Sequence, residues 1–396
     1  MKIVIAHFNS AYVRMPGGVE KVTCSLANAL HRRGHEVTIL FRDSKLGHAY
    51  FPLDEGIPEH NILYNDEGVR TIQDKLPAAI RLKREFFRLF SAKKAHEINA
   101  VAKGRSYGPT IRKWLDRIHP DVIIATSMPS AKYVIEDAAA EAPVITMIHS
   151  QPSVQFAAIS PAERRAVSHG AGIQILLPSG IEETRRVFPN LPIHVIGNAV
   201  EIPDWQTDLA QEKERYHLVC VGTVNPNKNQ KLAVEAFASL AERFPDWDVE
   251  LWGKTDERYA RPLREYIRKE GLTERVFLKG LTKDVDDDIY RRADLFAIPS
   301  KKEGFPLSLT EAMAAGFPAV GLRTCPGVNE LIEDGRTGYL VDESPAAMAD
   351  ALARLMGDRA LRVRMGQAGR EAVQVYAADR IWDQWERLLE ETAGKA

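Results

Sequence analysis

Residues Leu295 to Val341 read LFAIPSKKEGFPLSLTEAMAAGFPAVGLRTCPGVNELIEDGRTGYLV, and the fold is decided by how this stretch is parsed. The apolar run Leu295 to Pro299 has the composition of a buried strand, and the polar loop Ser300 to Pro306 follows it. Leu307 to Ala315 has helical composition and is stopped by Gly316 and Pro318, after which Ala319 to Leu322 reads as a second strand. Strand, loop, helix, strand is a βαβ unit, and open parallel sheets built from such units take ligands outside the carboxyl ends of their strands. The loop carrying Glu303 lies at such an end. The amides of Leu307, Ser308 and Leu309 open the helix, where unpaired N–H groups and the macrodipole hold a phosphate. Glu303 on the loop and Glu311 inside the helix do not bind phosphate themselves, but they accept hydrogen bonds from sugar or ribose hydroxyls. Taken alone, the two carboxylates fit a solvated loop and a dipole-favoured helix start equally well.

Working outward, 396 residues exceed one ordinary domain and imply two. A hydrophobic fraction of 45% with 27% charged residues is that of a globular chain. No apolar run approaches the ~18 residues of a membrane-spanning helix, and the opening MKIVIAHFNS is too short in apolar residues for a signal peptide. The expected location is therefore cytoplasmic. Cys24, Cys220 and Cys325 are far apart and lack metal-ligand spacing, so they are expected as reduced thiols. Residues 1–200 hold 25 Lys+Arg against 19 Asp+Glu, and residues 201–396 hold 28 against 35. A basic first half points to an anionic partner for it, a lipid surface or a phosphorylated acceptor. Nothing points to nucleic acid.

The run Glu303-Gly304-Phe305-Pro306-Leu307-Ser308-Leu309-Thr310-Glu311 is followed by Ala312 to Gly316 and then by Asn329-Glu330, Asp334-Gly335 and Thr337-Gly338. In this order the motifs resemble the retaining glycosyltransferases of family 4. The resemblance implies the GT-B fold, an α/β architecture of two Rossmann-like, doubly wound domains facing each other across a cleft. It also implies boundaries: residues 1–200 as an acceptor-binding domain, 201–379 as a nucleotide-sugar-binding domain, and 380–396 as a helix crossing back to the first domain.

The first half fits. Lys2 to His7 reads as a first strand, and Gly17-Gly18 opens a helix running to about Arg33, with Gly34 expected as its C-cap. A dinucleotide G-x-G-x-x-G is absent, which argues against hydride transfer. By resemblance, Gly17 and Gly18 face the donor diphosphate and the acceptor. Between Arg81 and Lys94 a basic segment carries Leu82, Phe86, Leu89 and Phe90 at helical spacing. It reads either as an amphipathic helix touching an anionic membrane or as a core helix that buries Phe86, Leu89 and Phe90, and the second is favoured for the Phe stripe. Val144 to Ile148 is a strand ending at His149, which the resemblance places against the donor sugar. Ser179 is expected to N-cap the helix that follows Ile173 to Pro178.

In the second half, the strand Leu218 to Val221 leads through Gly222 and Thr223 to Lys228 and a helix from Gln230 to about Phe244. Lys228 is placed to neutralise a phosphate. The family usually has an Arg directly after this Gly. Here Thr223 stands there, so Lys254, Lys301 and Lys302 become candidates for the missing contact. Gly253 and Lys254 follow the strand ending at Trp252, and Leu281 follows the strand ending at Lys279; by resemblance both turns border the nucleotide. The acidic run Asp284 to Asp288 reads as the start of a helix near Ile289 rather than as a metal site.

Together these motifs imply transfer of a sugar from a nucleotide sugar, UDP-linked by expectation, to a hydroxyl of a glycan or polyprenyl-linked acceptor. Lys228 and helix-start amides would stabilise the leaving diphosphate without a metal or other cofactor. Glu303 would hold donor hydroxyls and Glu311 the ribose, in a cleft that closes against water. Two rivals share the fold: a nucleotide-sugar epimerase, which needs acids and bases on both faces of the sugar, and a non-catalytic nucleotide-sugar-binding subunit.

Overall fold

Short β-branched runs build two parallel sheets in the computed structural model, which describes residues 1–72 and 75–394. The first contains β1 (Lys2–His7), β2 (Glu36–Phe41), β3 (Glu59–Asn61), β4 (Val122–Ala125), β5 (Val144–Met147), β6 (Gly172–Ile175) and β7 (Ile193–Val195). Their order is β3-β2-β1-β4-β5-β6-β7. The second contains β8 (Tyr216–Val221), β9 (Trp247–Trp252), β10 (Val276–Gly280), β11 (Leu295–Ile298), β12 (Ala319–Leu322) and β13 (Gly338–Val341), in the order β10-β9-β8-β11-β12-β13. Every pairing is parallel, from Lys2↔Glu36 in the first sheet to Leu322↔Val341 in the second. Parallel sheets carry helices on both faces, which is why β4, β5, β11 and β12 are buried along their whole length and read as continuous apolar runs. This is the doubly wound α/β fold. Strand order reverses between β1 and β4 and between β8 and β11, the two points where such sheets open a crevice for ligands.

The chain forms two compact units, Met1–Asn198 with Ile381–Ala396, and Ala199–Arg380. The helix Ala378–Thr392 gives its larger part to the first unit, where Trp385, Leu388 and Leu389 are buried. Arg33 binds Asp383 at 2.7 Å and Glu386 at 2.9 Å, and His35 meets Glu386 at 2.9 Å. Among the described residues no helix is long and apolar enough to cross a membrane.

Several local expectations are corrected. The helix from Gln230 ends at Ala238, because the Ser239 hydroxyl donates to the Ala236 carbonyl and Leu240 N–H turns to Phe237 instead. Ser179 is not the N-cap of the following helix: it lies inside the 3-10 turn Pro178–Gly180, and Gly180 precedes Ile181–Val187. The cap after Arg32 is Arg33, with Gly34 one residue further at φ +87°. Asp286–Tyr290 forms a single π turn rather than the start of a longer helix. The largest correction concerns Ala78–Arg88, which is helical but buries none of its residues. Phe86, Leu89 and Phe90 are exposed, so the core-helix reading of that stripe fails. Amphipathic spacing defines a face but does not say what covers it.

Candidate active site

In the second unit the strand-end turns at the β8/β11 switch point interlock. Gly222 N–H donates to Trp252 O at 2.9 Å, and Gly253 N–H to Gly280 O at 2.7 Å. Gly253 has φ +134°, and a Cβ there would lie 2.3 Å from Gly222 O. Only glycine permits this approach. Lys228 folds over Gly222, whose own missing Cβ would be 3.2 Å from Lys228 Cε. The Lys228 ammonium meets Glu303 Oε1 at 2.6 Å, and both side chains are largely buried. Lys228 and Glu303, assigned separate ligands from sequence, are thus one ion pair. The Glu303 loop is fixed by Asn227, whose side chain donates to Lys302 O at 3.0 Å and whose carbonyl accepts from Lys301 N–H at 2.8 Å. On its other side Gly327 leaves no room for a Cβ against Glu303 O and Gly304 O, each 2.9 Å away. Phe305 is buried edge-on to Tyr376.

The helix Leu307–Ala315 begins after Pro306 with no side-chain cap. Leu309 N–H bonds Pro306 O at 3.0 Å, so it is withdrawn from the expected set of free donors. The amides of Leu307 and Ser308 have no partner among the described residues, so of the three amides expected to meet an anion these two remain free to do so. Glu311, one turn on, accepts a hydrogen bond from the Tyr290 hydroxyl at 2.9 Å. Burial and the adjacent Glu311 raise the Tyr290 hydroxyl well above its ordinary pKa, so it stays a donor. Burial, Asp284 and Glu311 also raise the Asp286 carboxyl. Thr223 offers its carbonyl to Gln230 at 3.1 Å. Of the lysines considered in place of an Arg here, Lys301 is engaged with Glu343 at 2.6 Å. Lys254 is exposed, and its carbonyl accepts Val224 N–H at 2.8 Å, which puts it beside Thr223. The Lys254 and Lys302 ammonium groups have no partner among the described residues. Leu281 is exposed directly after β10.

The first unit gathers a second cluster, at the ends of β1 and β5. Gly17 caps the helix Gly18–Arg32 without a side chain, and a Cβ there would fall 1.9 Å from Glu20 Oε2. Glu20 therefore folds back over its own helix start. Ser10 donates to Glu20 Oε1 at 2.6 Å and lies 2.9 Å from His7 Nε2, while Thr126 Oγ1 is 3.1 Å from His7 Nδ1. Burial pushes the Glu20 carboxyl up, but hydrogen bonds from His7, Ser10 and the backbone outweigh it and hold the group below its usual range. Gly18 has open space around its Cβ position. His149, after β5, has a buried Nε2 with no hydrogen-bond partner among the described residues. Burial first, and His7 second, push its pKa down to about 4.

A neutral His149 has a measurable signature. Between an unfolded value of about 6.5 and the folded value, the unfolded chain binds a proton that the native chain refuses. Stability should therefore fall as pH drops from about 6.5 towards 4, and His149→Gln should flatten that part of the slope. Urea unfolding at pH 7 and pH 5 checks this; an unchanged slope in the variant would refute it.

Sequence reasoning did not single out Tyr290, His7, Ser10 and Glu20. For Glu20 a signal existed, since it is the third residue after the N-cap Gly17, the position from which an acidic side chain reaches back. Tyr290 carried none.

Comparison with known proteins bears on both units. Residues 16–202 match the family described as Glycosyltransferase Family 4, and residues 201–372 match Glycosyl transferases group 1. An exopolysaccharide phosphotransferase of Streptomyces coelicolor is 37% identical over 172 residues, 43% of this chain and 18% of that protein. A D-inositol 3-phosphate glycosyltransferase of Corynebacterium glutamicum is 33% identical over 196 residues, 46% of this chain and 47% of that one. The chain thus spans from under a fifth to about half the length of such curated relatives. Among solved structures, Anabaena HepE in complex with UDP superposes with a TM-score of 0.71 at 17% identity, covering 99% of this chain and 100% of that one. At that identity the likeness concerns the fold.

Proposed function

From the premise that this chain belongs to glycosyltransferase family 4, we propose that it transfers a sugar, with retention of anomeric configuration, from a UDP-sugar to a hydroxyl of a glycan or lipid-linked acceptor. The observation that carries the reading is the Lys228–Glu303 ion pair set beside the unbonded Leu307 and Ser308 amides, with Glu311 held by Tyr290 one helical turn away. Positive groups and a carboxylate pair at one switch point suit a diphosphate flanked by hydroxyl-bearing rings. In the proposed reaction the anomeric C–O bond to the diphosphate breaks as the acceptor oxygen bonds to the same face of the sugar. The acceptor proton passes to the departing phosphate oxygen. Lys228 and the two amides meet the charge on that leaving group, and the proposal calls for no metal. Glu303 and Glu311 orient the sugar and the ribose. Lys254 is the proposed second cation beside Thr223.

UDP is favoured because the superposable HepE structure holds UDP, and a cell-surface polysaccharide context because one relative is named for exopolysaccharide. The proposed location is the inner face of a membrane. The test is binding and slow hydrolysis of a panel of nucleotide sugars by the native chain and by Lys254→Gln. One donor bound and hydrolysed, more weakly by the variant, supports the reading. If no nucleotide sugar binds the native chain, the reading fails.

A further inference from the structure

A helix with no buried residue is unusual in a folded unit, because tertiary packing of one face supplies most of a short helix's stability. Ala78–Arg88 is such a helix. Leu82 is 76% exposed, Phe86 58%, and in the turn that follows Leu89 is 80% and Phe90 75% exposed. The spacing i, i+4, i+7, i+8 puts all four on one face. Phe86 packs against Phe90, with ring centroids 5.4 Å apart, and edge-on against Phe87 of the same helix at 5.5 Å. Six basic residues and one acid, Glu85, lie between positions 78 and 94. Glu85 is shared by Arg84 and Arg88, and Lys94 pairs with Glu97. Arg81, Lys83 and Lys93 are exposed and have no carboxylate partner among the described residues.

We infer that this face docks on an anionic lipid bilayer, with Leu82, Phe86, Leu89 and Phe90 entering the headgroup boundary while Arg81, Lys83 and Lys93 engage lipid phosphates. Charge decides the occupant. A second copy would bring two like-charged faces together, whereas an anionic surface neutralises both the stripe's flanks and the basic excess of residues 1–200. The apolar face is too short to span and suited to lie in the interface plane. This inference deepens the proposed lipid-linked acceptor and rests on that reading for its purpose, but vesicle binding is measured without any sugar transfer, so the two fail separately.

The experiment is co-sedimentation of the full chain with vesicles of pure phosphatidylcholine and with vesicles containing phosphatidylserine, alongside the sedimentation equilibrium of the protein alone. Expected is binding to the anionic vesicles only, weakening about fivefold for each of Arg81→Gln, Lys83→Gln and Lys93→Gln. Phe86→Ser with Phe90→Ser should lower it more than tenfold while the melting temperature holds, since neither ring is buried in the fold. Equal binding to both vesicle types, or no effect of the substitutions, overturns the inference. So does a dimer that these substitutions dissociate.

Discussion

Lys228→Ala is expected to lower kcat/KM for sugar transfer by about 10²–10³, the loss that follows removal of one preorganised group facing a developing negative charge. The substitution has a second consequence, because Glu303 loses its lysine counter-ion in a largely buried setting. Breaking a fully buried pair costs about 3–5 kcal/mol, and the partial exposure of Lys228 reduces that here. The two effects separate in a double variant. Lys228→Ala with Glu303→Gln should regain most of the melting temperature and none of the turnover. If turnover returns with stability, Lys228 serves the fold rather than the leaving group, and the proposed role is wrong.

Gly253→Ala is the second large effect. The new Cβ would stand 2.3 Å from Gly222 O and 3.2 Å from Thr223 N, both backbone atoms, at a φ of +134° that side chains rarely adopt. Strain and overpacking each cost about 1–3 kcal/mol, so the turn should shift rather than accept the methyl. The shift lands on Gly222, over which Lys228 lies. We therefore expect a lower denaturation midpoint together with at least a tenfold loss of nucleoside diphosphate affinity, read by calorimetry. Gly18→Ala, where the Cβ position is open, serves as the steric contrast in the stability measurement. Equal losses of stability from both glycines would remove the argument.

What the sequence revealed and what it hid follow the range of the forces involved. The strand Leu295–Ile298 and the helix Leu307–Ala315 were legible because their punctuation is local: Pro306 starts the helix and Gly316, at φ +90°, stops it. The ion pair of Lys228 with Glu303 spans 75 positions, and it forms because β8 and β11 are neighbours in the sheet. No spacing rule reports that adjacency. Tyr290 reaches Glu311 across 21 positions, from a π turn before β11 to the helix after it, and the acidic composition of that turn suggested only a helix start. Residues Ala78–Arg88 show the converse limit: periodicity gave the helix, and the assumption that an apolar face must be buried gave the wrong surroundings.

The return of Ile381–Ala396 to the first unit has a kinetic meaning. Ribosomes add about 5–20 residues per second, so the stretch Ala199–Arg380 separates Asn198 from Ile381 by roughly 10–40 seconds of synthesis. During that interval the sites on Arg33 and His35 that receive Asp383 and Glu386 wait without their partners, and the apolar surface that Trp385, Leu388 and Leu389 will cover stays bare. The unit made first is thus completed last, after the second has emerged whole. A chain truncated after Arg380 should hold a folded second unit and a protease-sensitive first one.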